Sequence, residues 1–349
     1  MKVLVVKHGA LGDVVRTSYF AGPLRRKNGP DFRQVWITAP GAECLIRHNP
    51  YIDRIATGFD QIQDEFFDVV FSLDDEDEIL SGLDMVRCGQ VVGAMKQDGQ
   101  VRYSQDASPW FDMGLHSRFG KARADELKKL NTQGHAGILS RIFGVDMVEP
   151  RFFGSPEIET EYSGFRNGAC PVIGINPFAG GRWPAKELRL TELDLLIRKL
   201  LSLDAASRGY VVLFGAGPDR ERNNALAHSI GDPRVIVADT DQSPLHLAAL
   251  IRQLDFMISS DSLAMHLAIS QRIPTVAFFS PTSAAEIDGF DRVEKVISLA
   301  PDYCSYRKDA DNASITHGRL LDALNTLSNN STMAPHASKL ESPRVSAGK

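Results

Sequence analysis

The sequence predicts an α/β protein made of two doubly wound domains in tandem. Three observations predict it. The chain has 349 residues, more than one ordinary core holds and enough for two domains of about 150 residues. Short β-rich runs alternate with helical patterns, the signature of a parallel sheet covered on both faces. The alternation stops around residues 150–170, which carry prolines, glycines and little periodicity, and then begins again.

The first series opens with Lys2–Val6, a continuous apolar run read as a buried parallel strand. A glycine-bearing turn and a helix over about 13–26 follow. Strands are predicted at 34–38, 54–57, 67–73 and 90–94, and a helix at 121–143. The second series has strands at 172–175, 210–214, 234–237, 255–259, 274–279 and 293–298. Its helices fall at 187–202, 218–230, 243–252, 262–270 and 317–328. The domains are therefore set at 1–155 and 171–330, with a linker over 156–170. The polar, Pro- and Ser-rich tail over 331–349 is expected to be disordered.

Composition narrows the function. Hydrophobic residues make up 43% and charged residues 24%, as in globular soluble proteins. A net charge of -5 gives no basic field to hold nucleic acid. No apolar run reaches the roughly 18 residues of a membrane helix, and the apolar start is too short for a signal-peptide core. These readings predict a cytoplasmic protein. Cys44, Cys88, Cys170 and Cys304 lie more than 40 residues apart, so no close pair suggests zinc. They are expected to be reduced bystanders, with no metal site.

In open α/β sheets ligands sit beyond the carboxyl ends of the strands. Five segments lie there. In Lys7–Asp13, Gly9 and Gly12 allow a tight turn and close approach to a ligand. Asp13 either complements the following helix or faces the cleft as a general base. In 176–186, Asn176, Ala179 and Gly180 sit in a loop whose amides suit a phosphate, with Arg182 and Lys186 as nearby cations. The same residues also suit an ordinary solvated loop. The segment from Gly215 to Glu221 begins like a dinucleotide fingerprint, but Arg220 stands at the third glycine, which disfavours a dehydrogenase. In 259–266, Ser262 and His266 lie at a helix start that suits an anion; equally, Asp261 is an N-cap and His266 a packed side chain. The acidic run 74–78 contains an Asp-x-Asp, Asp75 and Asp77, but such runs usually face solvent.

Three of these segments carry a resemblance. Lys7 to Val14 reads K-x-x-x-x-G-D-V. Asn176 to Lys186 reads N-P-x-A-x-x-x-W-P-x-K. Residues 259–282 read SSDSLAMHLAISQRIPTVAFFSPT. In this order the chain resembles glycosyltransferase family 9, the heptosyltransferases of lipopolysaccharide core assembly, over most of residues 1–328. The resemblance implies a GT-B fold, two Rossmann-like domains facing across a cleft. It implies an inverting enzyme without a catalytic metal or other cofactor. It makes Asp13 the general base and Asp261, Ser262 and His266 the donor-binding set. Arg182 and Lys186 become diphosphate contacts, and Glu221 an acidic group near the nucleoside. The donor it implies is a nucleotide-sugar, ADP-heptose, and the acceptor a saccharide or glycolipid reached at the inner membrane face. Arg16, Arg102, Arg118, Lys121 and Arg123 are candidate acceptor cations. The chain departs from the family at Leu263, where glycine is usual, and in retaining only Cys304 of a C-terminal cysteine group.

Rival readings are a non-catalytic nucleotide- or saccharide-binding protein, a transferase with another donor, a metal-dependent transferase using Asp75 and Asp77, and an NAD-linked oxidoreductase.

Overall fold

The computed structural model describes residues 1–165, 171–181, 183–202 and 209–331. Arg182, Cys170, the end of the expected linker and the tail beyond 331 lie outside the described residues. The first domain contains β1 (Lys2–Val6), α1 (Leu11–Ser18), α2 (Ala21–Asn28), β2 (Arg33–Ile37), β3 (Arg54–Ala56), β4 (Phe66–Ser72) and α3 (Asp77–Leu83). It continues with β5 (Arg87–Gln97), β6 (Gln100–Tyr103), α4 (Ser108–Phe111), α5 (Lys121–Leu130) and α6 (His135–Phe143). After α7 (Pro156–Glu161), the second domain contains β7 (Val172–Asn176), α8 (Leu190–Ser202), β8 (Tyr210–Leu213), α9 (Pro218–Ile230), β9 (Val235–Val237) and α10 (Pro244–Ile251). It ends with β10 (Phe256–Ser260), α11 (Leu263–Ser270), β11 (Thr275–Phe279), β12 (Val293–Ile297) and α12 (His317–Ser331).

The sheets run β3-β2-β1-β4-β5-β6 and β12-β11-β10-β7-β8-β9. Numbered within its own domain, each is ordered 3-2-1-4-5-6, the Rossmann arrangement. All neighbours pair in parallel except β5 and β6. β1 is central and covered on both faces, which explains its unbroken apolar run: Val3 to Val6 are fully buried. The strand order reverses between β1 and β4 and between β7 and β10. Side chains leaving those four strands meet in the crevice.

Several elements differ from the sequence expectation. The helix expected over 13–26 is two helices. Pro23 has no N–H to give the Tyr19 carbonyl, so it sits where none is needed, in the first turn of α2. The helix expected over 121–143 breaks at 131–134, where the Asn131 side chain bonds both the N–H and the carbonyl of Gln133 at 2.9 Å. β5 turns into β6 through Asp98-Gly99, both with positive φ (51° and 72°), a hairpin turn chemistry the sequence displays openly. The expected linker begins with α7, which has Pro156 in its first turn and whose Ile158 N–H donates to the Ser155 hydroxyl.

The domains pack through α1 and α11. Gly12 is buried in α1, and a Cβ there would stand 2.3 Å from Cδ2 of His266 on α11. Its missing side chain admits the other domain, a demand the sequence does not reveal. Tyr19 Oη donates to the His266 carbonyl at 3.4 Å, and the Ala136 N–H donates to Asp288 Oδ2 at 2.7 Å. Gly9 has open space where its Cβ would lie.

Gly12→Ala is expected to destabilise the protein by about 1–3 kcal/mol through overpacking. It is also expected to enlarge the radius of gyration as the lobes part. Gly9→Ala should do neither. Thermal melting with small-angle scattering checks both; a compact, fully stable Gly12→Ala protein would contradict the packing role.

Candidate functional site

A cavity of about 390 Å³ lies between the domains. It is lined from the first domain by Gly12, Asp13, Arg16, Asp75, Trp110, Phe111, Met113, Leu115 and Lys128. The second domain contributes Lys186, Asp261, Ser262, Leu263, His266, Thr282, Ser283, Glu286 and Tyr306 among others. The structure thus brings Asp13 together with Lys186, Asp261, Ser262 and His266, five of the residues picked out from the sequence.

Asp13 sits in the first turn of α1, just past β1, so it complements the helix and also faces the cavity. Arg16 Nη2 lies 2.9 Å from Oδ1, and Lys7 Nζ lies 3.7 Å from Oδ2. Burial alone would raise its pKa, but Arg16 and Lys7 outweigh that and hold the carboxyl well below the usual carboxylate range. Lys7 is itself buried. Burial alone would favour the neutral amine, yet Asp74 and Asp13 keep it cationic, with its pKa above the usual lysine value. Asp74 lies just past β4, pairs with Lys7 and accepts the His8 N–H. Both switch-point strands of the first sheet therefore end in carboxylates that share one ammonium.

The second domain mirrors this. Past β10, Asp261 Oδ2 accepts from Lys186 Nζ at 2.8 Å. Burial would raise its pKa, but Lys186 and His266 bring it down to about 2. Ser262 is the N-cap of α11, and its hydroxyl makes no capping bond to the helix. Burial and the Arg16 guanidinium lower His266 to about 4, so it is neutral at ordinary pH.

Other expected site residues stand elsewhere. Asn176 is buried; its amide donates to the Phe178 carbonyl, Ser260 Oγ and Ser262 Oγ at 3.0, 3.2 and 3.0 Å. It ties β7 to β10 and orients Ser262 without lining the cavity. Ala179 and Gly180 also fall outside the lining, and the Gly180 N–H donates to Asp219 Oδ2 at 3.0 Å. Gly215 is small because α9 crosses it: a Cβ would meet Asn223 Nδ2 at 2.9 Å. Glu221 is exposed on α9, outside the lining. Arg182 lies outside the described residues. Of the five acceptor cations, only Arg16 lines the cavity. Arg102 reaches the Gln100 amide, and Arg118, Lys121 and Arg123 pair at the surface with Asp112, Asp125 and Glu126. Asp75 lines the cavity, whereas Asp77 opens α3 at the surface beside Lys96. No group of three or more His, Cys, Asp or Glu suited to a metal occurs among the described residues.

Sequence reasoning missed Lys7 and Asp74 as a pair, Trp110, Lys128, Glu286 and Tyr306. Asp74 was legible as the residue beyond a switch-point strand but was absorbed into an acidic run. The others come from loops and from α4 and α5, where no periodicity marks them.

Two domains of Rossmann order, with a shared cavity at both switch points, form the GT-B architecture of glycosyltransferases. Residues 165–314 match the model of glycosyltransferase family 9 (heptosyltransferase), and two of the three motifs lie inside that match. The match, over 150 of the 349 residues, supports the resemblance read from the motifs, and the protein is a glycosyltransferase. No curated protein sequence matches the chain. The fold is shared with solved structures. The glycosyl transferase family 9 protein from Veillonella parvula DSM 2008 has a TM-score of 0.75 and 18% identity, over 94% of this chain and 97% of that one. The E. coli ADP-heptose lps heptosyltransferase II has a TM-score of 0.69 and 16% identity, over 95% and 100%. E. coli heptosyltransferase WaaC with ADP has a TM-score of 0.63 and 15% identity, over 95% and 100%.

His266 predicts a pH effect. Its folded pKa of about 4 lies below the ordinary 6.5, so the unfolded chain binds more protons between those values. Its contribution is complete above pH about 6.5 and falls by up to about 1.4 kcal/mol per unit toward pH 4. The melting temperature is expected to drop between pH 7 and 5, and less steeply in His266→Gln. Equal slopes in the two proteins would contradict the neutral, buried imidazole.

Proposed function

We propose that the protein transfers heptose from ADP-heptose to a saccharide hydroxyl, with inversion and without a catalytic metal, in lipopolysaccharide core or related glycan synthesis. One observation carries the reading: an ionised carboxylate on one lobe and a helix N-terminus on the other line the same cavity. The family match over residues 165–314 supports the chemistry, and the ADP and ADP-heptose named with structural relatives support the donor.

The donor's diphosphate sits at the start of α11. The first amides of a helix lack intrahelical acceptors and carry partial positive charge. The Ser262 hydroxyl stands beside them. Lys186 has three donors; Asp261 Oδ2 and the Asp261 carbonyl, at 2.8 and 3.3 Å, take two, which leaves one for a phosphate oxygen. The acceptor lies against Trp110, Phe111 and Met113 of the first lobe, apolar faces that suit a sugar ring. A glycolipid acceptor would bring the enzyme to the cytoplasmic membrane face; no described helix is long and apolar enough to cross a membrane.

In the reaction the acceptor oxygen attacks the anomeric carbon opposite the leaving group. The new C–O bond forms as the bond to phosphate breaks, its electron pair leaves with the nucleoside diphosphate, and the configuration inverts. The hydroxyl proton passes to Asp13. A carboxylate so stabilised is a weak base toward a free alcohol. It suffices late in the displacement, when the attacking oxygen has become strongly acidic, and it is ionised at every working pH. Growing charge on the diphosphate meets fixed amides and Lys186, the kind of preorganised electrostatics that carries much of catalysis.

Asp13→Asn is expected to bind ADP-heptose normally and to lose about 10²–10⁴-fold in kcat. Near-normal turnover would remove Asp13 from the base role. Because Asp13 and His266 both titrate low, wild-type kcat should show no acidic limb between pH 8 and 5; a limb near pH 6 would point to another base. ADP and ADP-heptose should raise the melting point, and turnover should persist in excess chelator. Stabilisation by UDP-sugars alone, or loss of turnover with chelator, would overturn the donor or the metal-independent chemistry respectively.

A further inference from the structure

Behind the α11 start, a second carboxyl faces the cavity. Glu286 lies in the turn after β11, the strand next to β10, and so beside the seat of the donor's diphosphate. Its Oε1 accepts from the Tyr306 hydroxyl at 2.8 Å, and no hydrogen-bond donor among the described residues reaches Oε2. Burial raises its pKa, against the opposing pull of the Arg16 guanidinium across the cavity and of the Tyr306 hydroxyl.

The turn is braced with unusual care. The Ala284 N–H donates to Tyr303 Oη at 2.8 Å. Cys304 and Tyr306 both adopt left-handed backbone, with φ of 59° and 55°, which non-glycine residues seldom do. Their N–H groups donate to the carbonyls of Ser280 and Pro281 at 3.0 and 2.8 Å, so the strained loop is fastened to the end of β11. Such strain, where surrounding bonds enforce it, gathers at ligand sites. Lys128, from the other lobe, lies 3.8 Å over the Tyr306 ring and caps the assembly. Five interactions thus fix one carboxyl whose second oxygen is left for a ligand.

We propose that Glu286, positioned by Tyr306, is the residue that selects the transferred sugar, its free Oε2 accepting a hydroxyl of the donor's sugar ring. The proposal rests on the glycosyltransferase reading and deepens it. The diphosphate occupies the adjoining α11 start, and a carboxyl beside it repels phosphate and receives neutral hydroxyls. A site built to bond a hydroxyl discriminates strongly against ligands that lack it.

The test compares ADP with ADP-heptose by calorimetry, without acceptor, on wild type, Glu286→Ala, the isosteric Glu286→Gln and Tyr306→Phe, with melting curves to confirm folding. In Glu286→Ala the affinity for ADP-heptose is expected to fall about tenfold or more while that for ADP changes less than about twofold. Glu286→Gln and Tyr306→Phe should change the same ratio in the same direction by less. Equal weakening of both ligands, or no weakening of either, would overturn the assignment. A wild type that binds neither ligand would instead bring down the donor reading, and this inference with it.

Discussion

The approach of α1 to α11 at Gly12 and His266 sets the separation of the two lobes, and every other feature of the cavity follows from it. A helix pair can come this close only where one side has no side chain, and position 12 supplies that gap. One residue later the same helix presents Asp13, and four residues before His266 the opposing helix is capped by Ser262. The joint and the site therefore share two helices. A change of contact at the joint moves the carboxylate relative to the anion seat, and catalysis by positioning tolerates little of that.

The electrostatics of the site are compensated in pairs. Lys7 stands between Asp13 and Asp74, Arg16 closes on Asp13, and Lys186 closes on Asp261. Buried charges persist only when paired and hydrogen-bonded, so every carboxylate beyond a switch-point strand meets a cation, Lys7 serving both Asp13 and Asp74. The two histidines of the region take the other course. His135 and His266 are buried beside Arg16, their pKa values are lowered, and they remain neutral. The cavity is consequently a place of fixed dipoles and largely matched ions, to which the proposed donor would bring further negative charge.

Much of this was legible in the sequence. The central strands announced themselves as apolar runs because a parallel strand covered on both faces has no polar side. Their carboxyl ends then located Asp13, Lys186, Asp261, Ser262 and His266. Less legible was what small residues do. Gly12 lines the cavity as its turn suggested, but it and Gly215 are also places where a helix packs too closely for a Cβ. Asn176 was read as a contact and is a tie between strands. A one-dimensional pattern shows that a position must be small or polar, not which neighbour demands it. Trp110, Lys128, Glu286 and Tyr306 could not be found that way, because they converge from distant turns and from the short α4 and α5. Helix breaks at Pro23 and at Asn131 were visible in composition but were overridden by periodicity on either side.

The central claim is spatial: the phosphates belong at the start of α11, facing Asp13 across the gap. A crystal structure of the protein with ADP tests it most directly. The account predicts the diphosphate on the amides following Ser262, with a Lys186 nitrogen on a phosphate oxygen and the Asp13 carboxylate across the cavity, uncovered by the nucleotide. A diphosphate bound on the first lobe, or away from α11 altogether, would contradict it.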